Sequence, residues 1–401
     1  MKILGKKISV FVKTFIIIGI MIYCPSQAFA QTKKIERVIV FMIDGMHWQA
    51  PERLKMPVLN TLIQEGTYIK KSYVIMPHHP TIGDYSTFNS CSFPNPMFHE
   101  GTIFIKPGNK FLQEMISPKF QTAFVVNTSA YSSVGRGFST AIMDQTLTDD
   151  QVVEQAIGLL KNQEPRFMRI HLQSPGSIGQ AVVSACTPDK PYYKNIYGKE
   201  SPYVSAIENA DCQLGKFVAF LKKSGKWEST VLIVTSDHGQ SLIGWHPLFD
   251  EDSWVTPLLF VGPGIAKDRK LPYFEHTDIA PTIAWLLGVE APNKDGGAGK
   301  AVKEIMESTD VTNYRPPMFL KKIDEQIKEF NILKSELTLA AEKNRMLSNV
   351  IASLENENIT PEPFYHQDRI TQWYQAGTTQ HMIEANEKIL QEMRNQLKNA
   401  K

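Results

Sequence analysis

Short runs of apolar, β-branched residues alternate along this chain with stretches of helical spacing, and this alternation limits the possible folds most. Residues 37–43 (RVIVFMI) form a nearly continuous apolar run, which is typical of a strand buried on both faces. Further runs of this kind cover 122–126, 167–172, 230–235 and 257–261, and amphipathic helical stretches between them cover 56–64, 149–161 and 204–223. The pattern predicts an α/β domain with a mostly parallel central sheet covered by helices on both faces.

The composition and charge of the 401 residues exclude several classes of protein. Hydrophobic residues make up 42% and charged residues 21%, a globular balance that excludes a collagen-like fibre or a disordered tail. The formal net charge is +2, but four lysines within residues 1–30 contribute +4, so the remaining residues carry −2. Because no basic surface is left, we do not expect the chain to bind nucleic acid.

Residues 1–30 have the layout of a secretory signal peptide. Lysines come first, an apolar run covers residues 15–23, and residues 28–30 (AFA) match the small-residue pattern of a cleavage site. An uncleaved anchor is the alternative, although the apolar run is short for a membrane span and Pro25 follows it. We therefore expect cleavage near Ala30 and a secreted or periplasmic mature chain without a transmembrane span.

The composition changes after about residue 311, where long charged stretches with helical spacing begin. Residues 319–357 and 378–400 predict two long helices, with Pro361 and Pro363 between them. Such helices suggest an antiparallel hairpin that either folds back on the main domain or mediates self-association. The predicted organisation is a signal peptide over 1–30, an α/β domain over 31–310 and a C-terminal helical appendage over 311–401.

Two of the strand runs are followed by residues that can hold a metal ion. Asp44 follows the first run and precedes a glycine, whereas Asp237 and His238 follow the run at 230–235. Ligands of parallel sheets bind at the carboxyl ends of strands, so we expect these side chains in one crevice. Carboxylate oxygens and an imidazole nitrogen suit an ion such as zinc or manganese. Taken alone, Asp44 would be interpreted as a turn cap.

Two further histidines lie after this motif. His246 is eight residues beyond His238, in a stretch that also fits a surface loop. His276 opens a predicted amphipathic helix that ends at Gly288; we expect a structural role for it at the helix start, and the alternative is that it reaches the metal site.

Taken together, these residues resemble the alkaline phosphatase superfamily, which includes nucleotide phosphodiesterases, sulfatases and phosphoethanolamine transferases. The matching segments occur in family order and do not extend to the C-terminal helices. They cover residues 38–45, 56–66, 236–239, 254–265 and 276–288. The resemblance implies an alkaline phosphatase-like α/β fold and an activity on phosphate or sulfate esters.

The resemblance also implies roles for individual residues. Asp44, Asp237 and His238 match the ligands of the family metal that activates the nucleophile. His246 is similar to a histidine that contacts the transferred group in several single-metal members.

The nucleophile of the family should lie within residues 73–86. An ungapped match places it on Pro80, which has no nucleophilic atom, and a shift of one residue gives Thr81. We therefore assign Thr81 as the nucleophile. The Cys-x-Pro-Ser-Arg motif of sulfatases is absent from the sequence, so a formylglycine mechanism is unsupported.

The second-metal motif of the phosphodiesterases is degenerate in this chain. Gly176 occupies its aspartate position and Gln180 its histidine position. Glycine offers no ligand atom, and a neutral amide is a poor ligand for a transition metal. The resemblance therefore implies a single divalent ion, zinc by preference, with manganese or calcium as alternatives.

These observations lead to one expectation and two alternatives. We expect a secreted, metal-dependent hydrolase or transferase that uses Thr81 on small-molecule, glycan-linked or lipid-linked phosphate or sulfate esters. One alternative is a non-catalytic relative that kept the sheet. The other is an interaction protein that works through its C-terminal helices.

Overall fold

The computed structural model describes most of the chain from residue 35 onwards. The described residues are 35–74, 87–93, 105, 107–247, 250–293, 299–355, 364, 369, 372–373 and 376–400. The predicted signal peptide at residues 1–30 and the predicted nucleophile Thr81 lie outside them.

The described strands form one mixed sheet in the order β4-β3-β5-β1-β6-β7-β2-β8, with β9 beside β2. The strands are β1 (Arg37–Ile43), β2 (Thr67–Tyr73), β3 (Thr122–Val126), β4 (Thr140–Met143), β5 (Phe167–Leu172), β6 (Thr230–Thr235), β7 (Val255–Val261), β8 (Arg269–Lys270) and β9 (Phe274–Glu275). Strands β4, β3, β5, β1 and β6 are parallel to one another, whereas β7 is antiparallel to both of its neighbours. The mostly parallel sheet predicted from the sequence is confirmed.

Helices connect the strands and continue beyond the last of them. They are α1 (Ala50–Arg53), α2 (Pro57–Glu65), α3 (Leu112–Ile116), α4 (Asp149–Asn162), α5 (Ser174–Ser184), α6 (Pro202–Lys223), α7 (Ile279–Leu287), α8 (Phe319–Ala341), α9 (Met346–Glu355) and α10 (Gln380–Ala400). Capping residues in the sequence mark some of the helix ends. Thr148 and Gln151 form a capping box at the start of α4, and Gly288 ends α7 in a left-handed conformation.

Strand β1 lies between two apolar cores, which explains why its sequence is apolar throughout. Successive side chains of a strand point to opposite faces of the sheet. Ile39 and Phe41 pack in the core formed with α2, α4 and α6. Val38 and Val40 pack in the core formed with α7. The prediction of helices on both faces is therefore confirmed.

The C-terminal helices pack against the α/β domain and against each other. Phe319, Leu320 and Ile323 at the start of α8 lie in one apolar cluster with Tyr73 and Val255 of the sheet. Further along, α8, α9 and α10 share a second apolar cluster. No helix in the described part of the chain is long and apolar enough to cross a membrane. The domain boundaries at residues 30 and 310 and the proposed self-association stay predictions.

The helical hairpin is formed by a different pair of helices from the pair predicted. The helix expected over 319–357 is interrupted between α8 and α9, where the N–H of Met346 donates to Oδ1 of Asn344 (3.2 Å). Asparagine side chains favour helix starts, and the short connection lets α8 and α9 pack side by side as the hairpin.

The contacts between α8 and α10 advance in the same direction along both helices. Gln326 accepts a hydrogen bond from Asn386, and Glu329, farther along α8, pairs with Arg394, farther along α10. The expected antiparallel pairing of the first and last helical stretches is therefore wrong, because the chain already reverses between α8 and α9.

Candidate metal centre

Two neighbouring strands bring the predicted metal ligands together. Strands β1 and β6 pair in parallel, with Met42 opposite Thr235, so the segments that follow them leave the same edge of the sheet. Ligand atoms of Asp44, Asp237 and His238 all lie within 4.8 Å of one another, and the three side chains are buried. The structure therefore brings together three of the residues predicted from the sequence.

Backbone and side-chain hydrogen bonds fix the turn that carries Asp44. The N–H of Gly45 donates to Oδ1 of Asp237 (3.3 Å), and the N–H of Met46 donates to Oγ of Ser236 (2.9 Å). The hydroxyl of Tyr203 donates to the carbonyl of Gly45 (2.8 Å). Gly45 has a φ of +59°, which glycine adopts without strain. The two ligand-bearing segments are thus tied directly to each other.

His238 presents one ring nitrogen to the two carboxylates. Its Nδ1 lies 2.7 Å from the carbonyl oxygen of Gly239, which can only accept, so Nδ1 carries the proton. Its Nε2 lies 3.6 Å from Oδ1 of Asp44 and 3.5 Å from Oδ2 of Asp237. This is the tautomer that a metal-binding histidine requires.

The pKa values of the two carboxylates are shifted in opposite directions. Burial, followed by the negative charge of Asp237, raises the pKa of Asp44 well above its ordinary value. Burial also acts to raise the pKa of Asp237, but the charges of His238, His171 and Arg169 outweigh it and lower that pKa. Oδ2 of Asp237 is buried without a hydrogen-bond partner among the described residues. Two facing carboxylates, one with an unsatisfied oxygen, and an imidazole nitrogen fit a divalent cation.

The structure places the other two histidines differently. His246 is buried beside the cluster, with its ring centroid 4.4 Å from that of His238 and its ring stacked on Trp245. Nε2 of His276 lies 3.2 Å from Oγ of Ser72 and 3.1 Å from Oγ1 of Thr256, between strands β2 and β7. His246 is therefore adjacent to the candidate ligands, whereas His276 has the surroundings of a structural residue.

Two residues that the sequence reasoning did not assign complete the surroundings of Asp44. Nε2 of His171, on β5, lies 3.1 Å from Oδ2 of Asp44, and the hydroxyl of Tyr131 donates to the same oxygen (3.2 Å). Strand β5 pairs with β1 on the side opposite β6, with His171 opposite Met42. The sequence held one signal: Arg169 and His171 are polar residues two apart, and therefore on one face, in an otherwise apolar strand.

The degenerate second-metal motif is packed tightly against Asp44. Gly176 lies in the first turn of α5, and a Cβ atom built on it would lie 1.7 Å from Oδ1 of Asp44. An aspartate at this position is therefore incompatible with the observed place of Asp44. Gln180, the other degenerate position, is half-buried on the same helix.

Alanine substitutions at two helical glycines test this packing. Gly176→Ala is expected to lower the free energy of unfolding by about 1–3 kcal/mol, because its methyl group overlaps Asp44. Gly158 in α4 is the matched control, since a Cβ there meets nothing within 4 Å. Gly158→Ala should raise the free energy of unfolding by about 0.5–1 kcal/mol. Urea unfolding measures both, and equal stabilities of the two variants would contradict the packing argument.

Comparison with known proteins shows which families this chain is similar to. Residues 94–289 match the sulfatase family model, a segment that includes Asp237 and His238 but begins after Asp44. A 102-residue segment is 33% identical to the multifunctional alkaline phosphatase superfamily protein PehA of Trinickia caryophylli, covering 24% of this chain and 20% of that protein. A 145-residue segment is 26% identical to choline-sulfatase of Rhizobium meliloti (strain 1021), covering 32% of this chain and 28% of that protein.

The solved structures extend the likeness over a larger part of the fold. The phosphonate monoester hydrolase of Agrobacterium radiobacter superposes with a TM-score of 0.54 at 17% identity, covering 70% of this chain and 79% of that one. The matches to the two curated relatives span about a fifth to three tenths of the relatives' own lengths. The chain has the fold of the alkaline phosphatase superfamily, and the resemblance predicted from its sequence is confirmed.

Proposed function

We propose that this chain is a metal-dependent hydrolase or transferase of sulfate or phosphate esters that works with a single divalent ion. The observation that carries the proposal is the convergence of Asp44, Asp237 and His238 at the carboxyl ends of β1 and β6. Buried facing carboxylates repel each other, and a divalent cation between them offsets that repulsion. Zinc suits this oxygen and nitrogen donor set best, with manganese or calcium as alternatives.

The candidate site residues have separate roles in the proposed reaction. A divalent ion, when bound, neutralises charge on the attacked group and lowers the pKa of a hydroxyl beside it. Thr81 is the proposed nucleophile: its Oγ1 loses its proton and forms a bond to the phosphorus or sulfur atom, the bond to the leaving oxygen breaks, and the departing alcohol takes up a proton. Water or an acceptor alcohol then cleaves the Thr81 ester and regenerates the hydroxyl. His246 is proposed to hydrogen-bond the transferred group.

The proposal also includes the compartment in which the protein acts and the class of its substrate. The signal peptide predicted at residues 1–30 favours action outside the cytoplasm. The names of relatives include a choline-sulfatase and a phosphonate monoester hydrolase, which supports small anionic esters as substrates. Glycan-linked or lipid-linked esters fit the same chemistry.

A second candidate function is a non-catalytic relative of these enzymes. The observation that favours it is the loss of both second-metal residues, at Gly176 and Gln180. This candidate predicts that the chain binds a metal ion, or none, without turning over any ester.

A screen with defined metals tests the proposal. The mature chain, stripped with a chelator and reloaded with zinc, manganese or calcium, is assayed on 4-nitrophenyl sulfate, 4-nitrophenyl phosphate, bis(4-nitrophenyl) phosphate and a phosphonate monoester. We expect turnover of at least one ester in the loaded form and none after removal of the metal. Absence of turnover from a metal-loaded, folded chain would favour the non-catalytic candidate.

A further inference from the structure

We propose that His171 and Tyr131 are positioning residues for the candidate metal centre: they hold one carboxylate oxygen of Asp44 so that the other faces the ion. The inference rests on the metal site in the proposed function, but it concerns residues for which the sequence patterns gave no role.

The two carboxylate oxygens of Asp44 have different surroundings. Oδ2 lies 3.1 Å from Nε2 of His171 and 3.2 Å from the hydroxyl of Tyr131. Oδ1 lies on the other side, 3.6 Å from Nε2 of His238. Two hydrogen-bond donors on Oδ2 fix the rotation of the carboxylate, and Oδ1 remains directed toward the other candidate ligands.

One of the two donors lies on a strand in the interior of the sheet, and the other packs against it. His171 is fully buried on β5, between β1 and β3, and its ring lies 5.3 Å from the ring of the half-buried Tyr131. On the remaining side lies Gly176, which has no side chain to offer to Asp44. His171 and Tyr131 therefore supply side-chain contacts to Asp44 where the second-metal motif of this chain offers none.

Holding Asp44 in place should matter chiefly for metal affinity. Groups that hydrogen-bond a metal ligand fix its orientation, and their loss typically lowers affinity or activity by roughly 10- to 100-fold. A carboxylate without such partners can rotate, and it must be ordered again when the ion binds.

The test measures zinc affinity by competition with a chelator of known affinity, for the wild-type chain and four variants. His171→Ala is expected to weaken zinc binding about 10- to 100-fold, and Tyr131→Phe up to about 10-fold. His171→Gln keeps an N–H donor and should lose less affinity than His171→Ala. His276→Gln is the matched control: it also alters a buried histidine, and it should lower Tm without changing zinc affinity.

The outcomes separate this inference from the proposed function. A folded His171→Ala variant with wild-type zinc affinity would overturn the inference. If His171→Ala does not fold, unchanged affinity of Tyr131→Phe would overturn it instead. A wild-type chain that binds zinc more tightly than these variants, yet hydrolyses none of the esters, supports the positioning role while the proposed activity fails.

Discussion

Asp237→Ala is expected to leave the chain folded but to weaken metal binding by more than about 100-fold. The substitution removes a ligand itself, and residues that only hydrogen-bond a ligand already account for roughly 10- to 100-fold. It also removes the acceptor of the Gly45 N–H and a carboxylate that the charges of His238, His171 and Arg169 stabilise, so the metal-free variant should unfold at a lower temperature than the metal-free wild type. Elemental analysis should give about one equivalent of metal for the wild type and none for the variant.

A second buried aspartate outside the site provides the control. Asp211 accepts the N–H groups of Val58 (3.0 Å) and Leu59 (2.8 Å) at the start of α2. Asp211→Ala should therefore lower the free energy of unfolding by about 0.5–2 kcal/mol, the usual effect of losing a helix cap, without changing the metal content. Two equivalents of metal in the wild type would contradict the single-ion proposal, and full metal content in Asp237→Ala would contradict the ligand assignment.

The parts of this site that follow strands directly were predictable from the sequence. Continuous apolar runs identify β1 and β6 as buried parallel strands, and the residues just after the carboxyl ends of parallel strands lie at one edge of the sheet. Asp44 and Asp237 are therefore expected at the same edge, and they meet there because β1 and β6 are neighbours in the sheet. His238 directly follows Asp237 in the Asp-His-Gly sequence, so its position near the same edge could also be predicted.

The positioning residues could not be predicted in the same way. His171 reaches Asp44 because β5 pairs with β1 in one register, and a parallel pairing across more than a hundred residues leaves no local trace. Tyr131 lies in a loop after β3, whose course depends on tertiary packing. The helical break before α9 was missed for a related reason, since it depends on the side chain of Asn344 rather than on a proline or glycine.

Thr81→Ala tests the assignment of Thr81 as the nucleophile. We expect turnover of whichever ester the wild type hydrolyses to fall by at least about a thousandfold, the scale on which nucleophile removal acts in other hydrolases. Metal content should fall little, because the three candidate ligands Asp44, Asp237 and His238 remain. Thr81→Ser retains a hydroxyl at the same position and should keep measurable activity, which separates loss of the nucleophile from loss of local structure.

Ser86→Ala, within the same sequence segment, is the control for removing a hydroxyl there. If Thr81→Ala is fully active, Thr81 is not the nucleophile and another hydroxyl of residues 73–86 must be sought. If turnover disappears in Thr81→Ala while metal is retained, the nucleophile and the metal ligands are distinct residues, as the proposed mechanism requires.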